Sequence, residues 1–206
     1  EEEYTILEND TLALAIAKIE ERLATLDTIP DFKIRVLDSD QINAFATFGN
    51  QIFIFSGLIE FCESPEEIAA ILAHEIGHIH YEHVEKKFIK EVGLGVVSIL
   101  LTGGDPVLAS EIAKTLMSTA YDRRQEMKSD NYSMSLMNNS NLPHTALASF
   151  MVRLKREENT IPDELSFIST HPNLSARIEN VGKFKGTESE IRPLEIDWDL
   201  VKRSIE

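Results

Sequence analysis

His74-Glu75-Ile76-Gly77-His78 is an HExxH run, and its residue types and spacing point to metal-assisted hydrolysis. An α-helix advances about 100° per residue, so the two histidines stand roughly 40° apart on one face, a turn above one another, where both imidazoles can reach one ion. Neutral imidazole suits Zn²⁺. Catalytic zinc sites combine three protein ligands with an open position for water, and a carboxylate such as Glu75 beside the metal can take the water's proton. The chemistry implied is hydrolysis of an amide.

The same five letters also describe a surface helix with two solvated histidines, and their surroundings argue against that. Ser64-Pro65-Glu66-Glu67 predicts an N-cap hydroxyl, a proline at the first helical position and a capping-box glutamate. Ile68, Ile71, Leu72, Ile76 and Ile79 then make the helix apolar around most of its girth, so it is buried. A buried histidine pair needs partners, and a metal is one.

A third ligand must come from elsewhere. On a helix running from about 65 to 90, His83 falls roughly 180° from His74 and His80 roughly 160° from His78, so neither qualifies and both are supporting or surface groups. A second helical pattern, about 107–137, carries Asp122, Glu126 and Asp130 at four-residue spacing. That stripe by itself describes a solvated face paired with Arg123 and Lys128. Beside an HExxH helix, one carboxylate completes the zinc site and another accepts a ligand histidine's second N–H. His171 precedes Pro172, which biases it to an extended conformation suited to a side chain directed into a cleft.

The positioning elements follow from periodicity. Leu12, Ile16, Ile19, Leu23 and Leu26 predict a leading amphipathic helix over about 8–27, capped by Asn9 or Asp10. A small three-stranded sheet over about 32–55 is predicted from Phe32–Leu37, Asn43–Ala46 and Gln51–Phe55, the last two joined as a hairpin. Pro143 opens a scaffold helix through Phe150 and Leu154, and an acidic tail over about 186–206 holds the single tryptophan, Trp198. The expected fold class is thus α+β, a mostly helical single domain over 1–206 with the sheet preceding the HExxH helix.

Twenty basic against thirty-five acidic residues give a formal charge of -15, which excludes nucleic acid as the main partner and favours polypeptide substrates. The lone Cys62 is expected as a core thiol. The most apolar run, Val92–Leu101, is about half of the ~20 residues a membrane span requires. It is expected as a buried helix or flap, leaving peripheral association with a membrane or envelope open. No signal peptide is visible, and the oligomeric state is not legible.

Four ordered motifs together resemble the M48-type zinc metalloendopeptidases over roughly 38–182: Asn43-Ala44-Phe45-Ala46 with Gly49, Ile54 and Gly57; His74–His78 with His83; Tyr121, Arg123, Glu126 and Asp130; and His171-Pro172 with Arg177. The resemblance implies a zincin-like domain with one Zn²⁺ per chain, held by His74, His78 and Glu126. It implies Glu75 as the base, Asp130 as buttress of a zinc histidine, and His171 and Arg177 at the cleft as candidate catalytic groups. Met127, Lys128 and Ser129 depart from the family's usual residues around the third ligand. Without the membrane spans of the HtpX branch, the resemblance favours the BepA-like branch, which implies a bacterial periplasm or envelope location, with the mitochondrial intermembrane space as alternative.

The function so implied is endoproteolysis of unfolded or misassembled polypeptide for envelope quality control. The rival is a zinc-containing binding or chaperone module with little turnover. Strand Gln51–Phe55 is expected to border the cleft and take substrate as an added strand through Ile52, Phe53 and Ile54.

Overall fold

A computed structural model describes residues 4–24, 29–92, 120–162, 167–186 and 190–206. The expected flap lies, beyond Val92, outside the described residues. The fold is mostly helical with a small three-stranded sheet, an α+β arrangement.

Helix α1 (Asp10–Leu23) is capped by Asn9, whose side chain accepts the Leu12 N–H at 2.8 Å. Its buried face is Leu12, Ala15, Ile19 and Leu23. Strands β1 (Lys33–Leu37), β2 (Ala44–Thr47) and β3 (Gln51–Phe55) form a mixed sheet in the order β1-β3-β2. β2 and β3 are an antiparallel hairpin turned by Gly49 and Asn50, both at positive φ, while β1 runs parallel to β3. This order overturns one expectation. β3 is enclosed between two neighbours, so Ile52, Phe53 and Ile54 have no free edge to offer an incoming strand.

The chain passes from β3 straight into α2 (Ser56–Phe61), then into α3 (Pro65–His80), the axis of the fold. Every residue of α3 from Pro65 to Ile79 is buried. Its isoleucines and Leu72 each contribute roughly 1.5–3 kcal/mol through that burial. Around α3 pack α1, β2, α4 (His83–Val92), α5 (Arg123–Asn139) and α6 (Ala146–Glu157). The closest neighbour is α5. There Gly77 lets the backbones approach, for a Cβ at that position would stand 3.0 Å from Ser129 Cα. Ser133 Oγ also donates to the Ala70 carbonyl at 2.7 Å.

Two predicted helices have different bounds. The HExxH helix does not continue to residue 90: Glu82 takes φ 55, and the chain restarts as α4 at His83. The acidic helix does not run through Tyr121 and Asp122. Asp122 is the N-cap of α5, in a capping box with Gln125. Its upstream part, 107–119, lies outside the described residues. At the start of α3, Ser64 has cap geometry without the expected side-chain bond. Glu67 instead accepts the Glu63 N–H at 2.9 Å and pairs with Arg153 of α6.

The remaining elements, α7 (Phe167–Thr170), α8 (Leu174–Val181) and α9 (Trp198–Arg203), close the core. The tail has a structural task that its acidity concealed. The Trp198 indole N–H donates to the Cys62 carbonyl at 2.9 Å, and Leu194 N–H to Glu66 Oε1 at 2.7 Å, tying the C-terminal stretch to the start of α3. Cys62 is fully buried in the core. No helix among the described residues is long and apolar enough to cross a membrane.

Candidate metal centre

α3 presents His74 and His78 to the facing side of α5, and α5 answers with Glu126. One ring nitrogen of each histidine, a carboxylate oxygen of Glu126 and a ring nitrogen of His171 lie within 4.8 Å of one another, all fully buried. His74 Nε2 is 3.1 Å from His78 Nε2 and 3.3 Å from His171 Nδ1. Glu126 Oε1 is 3.3 Å from His78 Nε2 and 3.1 Å from His171 Nδ1, and Glu126 Oε2 is 3.6 Å from His74 Nε2.

Proton counting shows what such a cluster lacks. His74 Nδ1 lies 2.9 Å from Asp130 Oδ1, an acceptor, so its proton belongs there and Nε2 is left with a lone pair. The Glu126 carboxylate stands at the same point, and His78 and His171 can turn lone pairs on Nε2 and Nδ1 toward it by carrying their protons on the outward nitrogens, which face His83 Nδ1 at 3.1 Å and Glu75 Oε1 at 3.4 Å. Donor-free electron pairs converge only at a cost unless a cation stands between them. The spacing fits one: ligands about 2.0–2.1 Å from a tetrahedral zinc are about 3.3–3.4 Å apart. The residues present therefore fit a zinc ion.

The surroundings hold the ligands rigidly. Arg177 of α8 donates to both Asp130 oxygens, Nε to Oδ2 at 2.9 Å and Nη2 to Oδ1 at 2.7 Å, in the bidentate geometry guanidinium favours. Its Nη1 lies 2.6 Å from Glu126 Oε2 and donates to the His171 carbonyl at 3.1 Å. Burial raises the Glu126 and Asp130 pKa values, but Arg177 and the neighbouring histidines outweigh it, holding Glu126 well below the usual carboxylate range and Asp130 below it. Burial drives His78 well below its ordinary value, which keeps the imidazole neutral as a ligand must be.

Glu75 sits at the edge of the sheet. Ala46 turns its N–H to Glu75 Oε2 at 2.8 Å, so the outer edge of β2 faces this carboxylate. Its other oxygen, Oε1, has no hydrogen-bond partner and lies 3.4 Å from His171 Nε2. Burial raises the Glu75 pKa, although His171, His74 and the Ala46 N–H pull it down.

The structure thus brings together His74, Glu75, His78, Glu126, Asp130, His171 and Arg177. Two roles change. Arg177 is committed to Asp130, Glu126 and the His171 backbone, so it positions the site and does not face a reacting group. Asp122, the alternative carboxylate, caps α5 and is exposed. His171 is no solvated loop residue: it follows α7, its ring stacked on Phe167 with centroids 4.1 Å apart.

Two participants were given no role by sequence reasoning, and a third was legible only as one of two alternatives. Tyr121 stacks on the His78 ring at 3.8 Å between centroids, with Lys87 Nζ over the Tyr121 ring at 4.2 Å from its centre. Its motif position was the only signal. The Ala46 N–H is a backbone group and leaves no trace in residue type. His83 was read as a supporting or surface group and not a ligand; it is outside the donor cluster, and the break at Glu82 brings its Nδ1 3.1 Å from His78 Nδ1, the supporting place.

A histidine pair and glutamate on one helix, facing a carboxylate from a second, is the arrangement by which HExxH metalloproteases hold their metal. The model of peptidase family M48 matches residues 11–185, and the chain belongs to that family. It is similar to mitochondrial metalloendopeptidase OMA1 of Schizosaccharomyces pombe, 24% identical over 174 residues covering 82% of this chain and 51% of that protein. It is also similar to the beta-barrel assembly-enhancing protease of Yersinia pestis, at 26% identity over 72% of this chain and 33% of the relative. Metalloprotease LoiP of Escherichia coli is 25% identical over 71% of this chain and 60% of the relative. The chain thus spans between about a third and three fifths of the length of these curated relatives.

Proposed function

We propose that the chain is a zinc endopeptidase in which His74, His78 and Glu126 hold the metal and Glu75 is the general base, acting on unfolded or misassembled polypeptide. The observation that carries the reading is the convergence of four buried ligand-type atoms at near-tetrahedral spacing beside an unsatisfied Glu75 oxygen. When bound, zinc supplies Lewis-acid polarisation and lowers the pKa of a water. Glu75 Oε1 is the acceptor free to receive that proton, while the Ala46 N–H fixes Oε2 and keeps the carboxylate from rotating away. A pKa raised by burial suits a group that must take a proton and return it to the leaving amine. Asp130 holds His74 in the ligating tautomer, and Arg177 holds Asp130 and Glu126.

Substrate binding moves from β3 to β2. An extended polypeptide laid along the outer edge of β2 would pass Glu75, and main-chain pairing demands little of sequence, as a quality-control protease requires. The similarity to relatives named for β-barrel assembly supports a bacterial periplasm or envelope location, because such barrels are outer-membrane structures. The name of the mitochondrial relative supports a mitochondrial location as the alternative.

One observation favours a second reading. Four donors surround the site, and closed four-ligand zinc sites are characteristically structural. Under it the chain is a zinc-containing binding module with little turnover. Metal analysis and casein cleavage, on the wild type, Glu75→Gln and Glu126→Ala, separate the two. The protease reading expects one zinc per chain in wild type and Glu75→Gln, cleavage lost in Glu75→Gln, and zinc lost in Glu126→Ala. Zinc-loaded protein that never cleaves, in His171→Ala as well as in the wild type, would establish the binding module.

A further inference from the structure

α3 ends where Glu82 enters the left-handed region at φ 55, a conformation that costs a non-glycine residue energy. The break moves one side chain. On an unbroken helix His83 would stand roughly 140° around the axis from His78. After the break it begins α4 with its ring against His78, centroids 5.1 Å apart, the two Nδ1 atoms 3.1 Å apart, and only 4% of its surface exposed.

Two imidazole nitrogens at that distance share a single proton, and the other end of His78 decides which holds it. His78 Nε2 stands beside Glu126 Oε1 and His74 Nε2, at the point where the metal donors converge, so with the metal of the proposed function bound it carries the lone pair. The His78 proton is therefore on Nδ1, and His83 Nδ1 accepts it.

We infer that His83 is a positioning residue that fixes the tautomer and ring angle of His78, as Asp130 does for His74. This rests on the metal site of the proposed function. The use of an imidazole where the partner histidine has a carboxylate follows from charge. Immediately around the converging donors Glu75, Glu126 and Asp130 are buried together with Arg177, and Lys87 is buried further out, over the Tyr121 ring. Three carboxylates, one arginine and a divalent ion sum to zero. A fourth carboxylate in the place of His83 would add a further buried negative charge, whose desolvation is costly in a low-dielectric interior. An imidazole orients His78 without that charge.

The test is zinc affinity by chelator competition and melting temperature in the metal-free protein, for His83→Leu, His83→Asn, the wild type and Glu126→Ala. Asparagine places an acceptor oxygen where Nδ1 of histidine stands; leucine fills the space without one. His83→Leu should weaken zinc binding by about 10 to 100-fold, the range for lost supporting hydrogen bonds, with the metal-free melting temperature little changed. His83→Asn should recover most of the affinity. Wild-type affinity in His83→Leu, or His83→Asn as weak as His83→Leu, would overturn the inference while leaving the site intact, provided Glu126→Ala loses zinc. Equal zinc binding by Glu126→Ala and wild type would remove the site and this role with it.

Discussion

Gly77, between Glu75 and His78, sits where two opposing effects of known size meet. In a free helix interior, Gly→Ala stabilises by about 0.8–1 kcal/mol. Here a Cβ would lie 3.0 Å from Ser129 Cα, 3.2 Å from Tyr132 Cβ and 3.3 Å from Ser129 Cβ. Carbon atoms prefer about 3.5–4.0 Å, so α3 and α5 must part by roughly 0.5 Å, and overpacking of this kind costs about 1–3 kcal/mol. Overpacking wins: Gly77→Ala should be neutral to destabilising, and Gly77→Val clearly destabilising, since its methyls reach further into α5. The displacement falls between the two ligand-bearing helices, with His78 next to Gly77 and Glu126 and Asp130 flanking Ser129. A metal site tolerates donor shifts of only about 0.2 Å. Zinc affinity should thus fall in the order glycine, alanine, valine, by about ten-fold or more at valine, a scale comparable to lost supporting contacts. Melting temperature without metal and chelator competition measure the two quantities. A higher melting temperature for Gly77→Ala with unchanged zinc affinity would refute the reasoning, because helix propensity would then have prevailed over a contact that yields freely.

Arg177→Met should cost about 3–5 kcal/mol, the penalty for leaving a buried charge unpaired, or about 6–20 °C in melting temperature for a chain this size. Adding Asp130→Asn to it should recover part of the loss, and a double variant less stable than Arg177→Met would contradict the buried clamp. Trp198→Ala should cost about 3–5 kcal/mol by releasing the tail from α3, seen as faster proteolysis near the C-terminus; an unchanged melting temperature would mean the tail does not support the core.

The parts of the site that announce themselves are those whose chemistry is written in side-chain type at helical spacing. His74, Glu75 and His78 needed one turn of α3. Glu126 and Asp130 share a face of α5 by the same rule, though choosing between them as ligand needed the family resemblance. What escaped was set by chain reversals and backbone. The φ of Glu82 placed His83, and no periodicity signals a single left-handed residue in a polar stretch. The order of the sheet escaped for a related reason. A hairpin β2–β3 is legible from its turn, but whether β1 joins at the β2 or the β3 side depends on packing under α3, and that choice decides which strand is an edge. The family resemblance put Arg177 at the cleft as a candidate catalytic group, whereas its three carbonyl and carboxylate partners, from segments 6 to 51 residues away, make it a clamp.

His171 has two readings with opposite mutational signs. As a donor to the tetrahedral oxyanion, its loss should lower kcat by about 10² or more. As a fourth metal donor it holds the site latent, and its loss raises activity. The geometry favours the second. Nδ1 is among the converging donors, 3.1 Å from Glu126 Oε1, while Nε2 lies 3.4 Å from Glu75 Oε1, so one ring fills the place between metal donors and base where a water and a peptide would have to stand. Opening asks only for a side-chain rotation. The backbone bonds of His171, its N–H to the Phe167 carbonyl at 2.9 Å and its carbonyl to Arg177, can stay. The aromatic stack on Phe167 that would be lost is worth about 0.5–1.5 kcal/mol beyond burial, small enough for a substrate to reverse. His171→Ala should therefore cleave casein or itself faster with zinc content unchanged, since His74, His78 and Glu126 remain. A large loss of activity at full zinc occupancy would return His171 to the oxyanion role, and loss of zinc as complete as in Glu126→Ala would make it a structural ligand of a closed site.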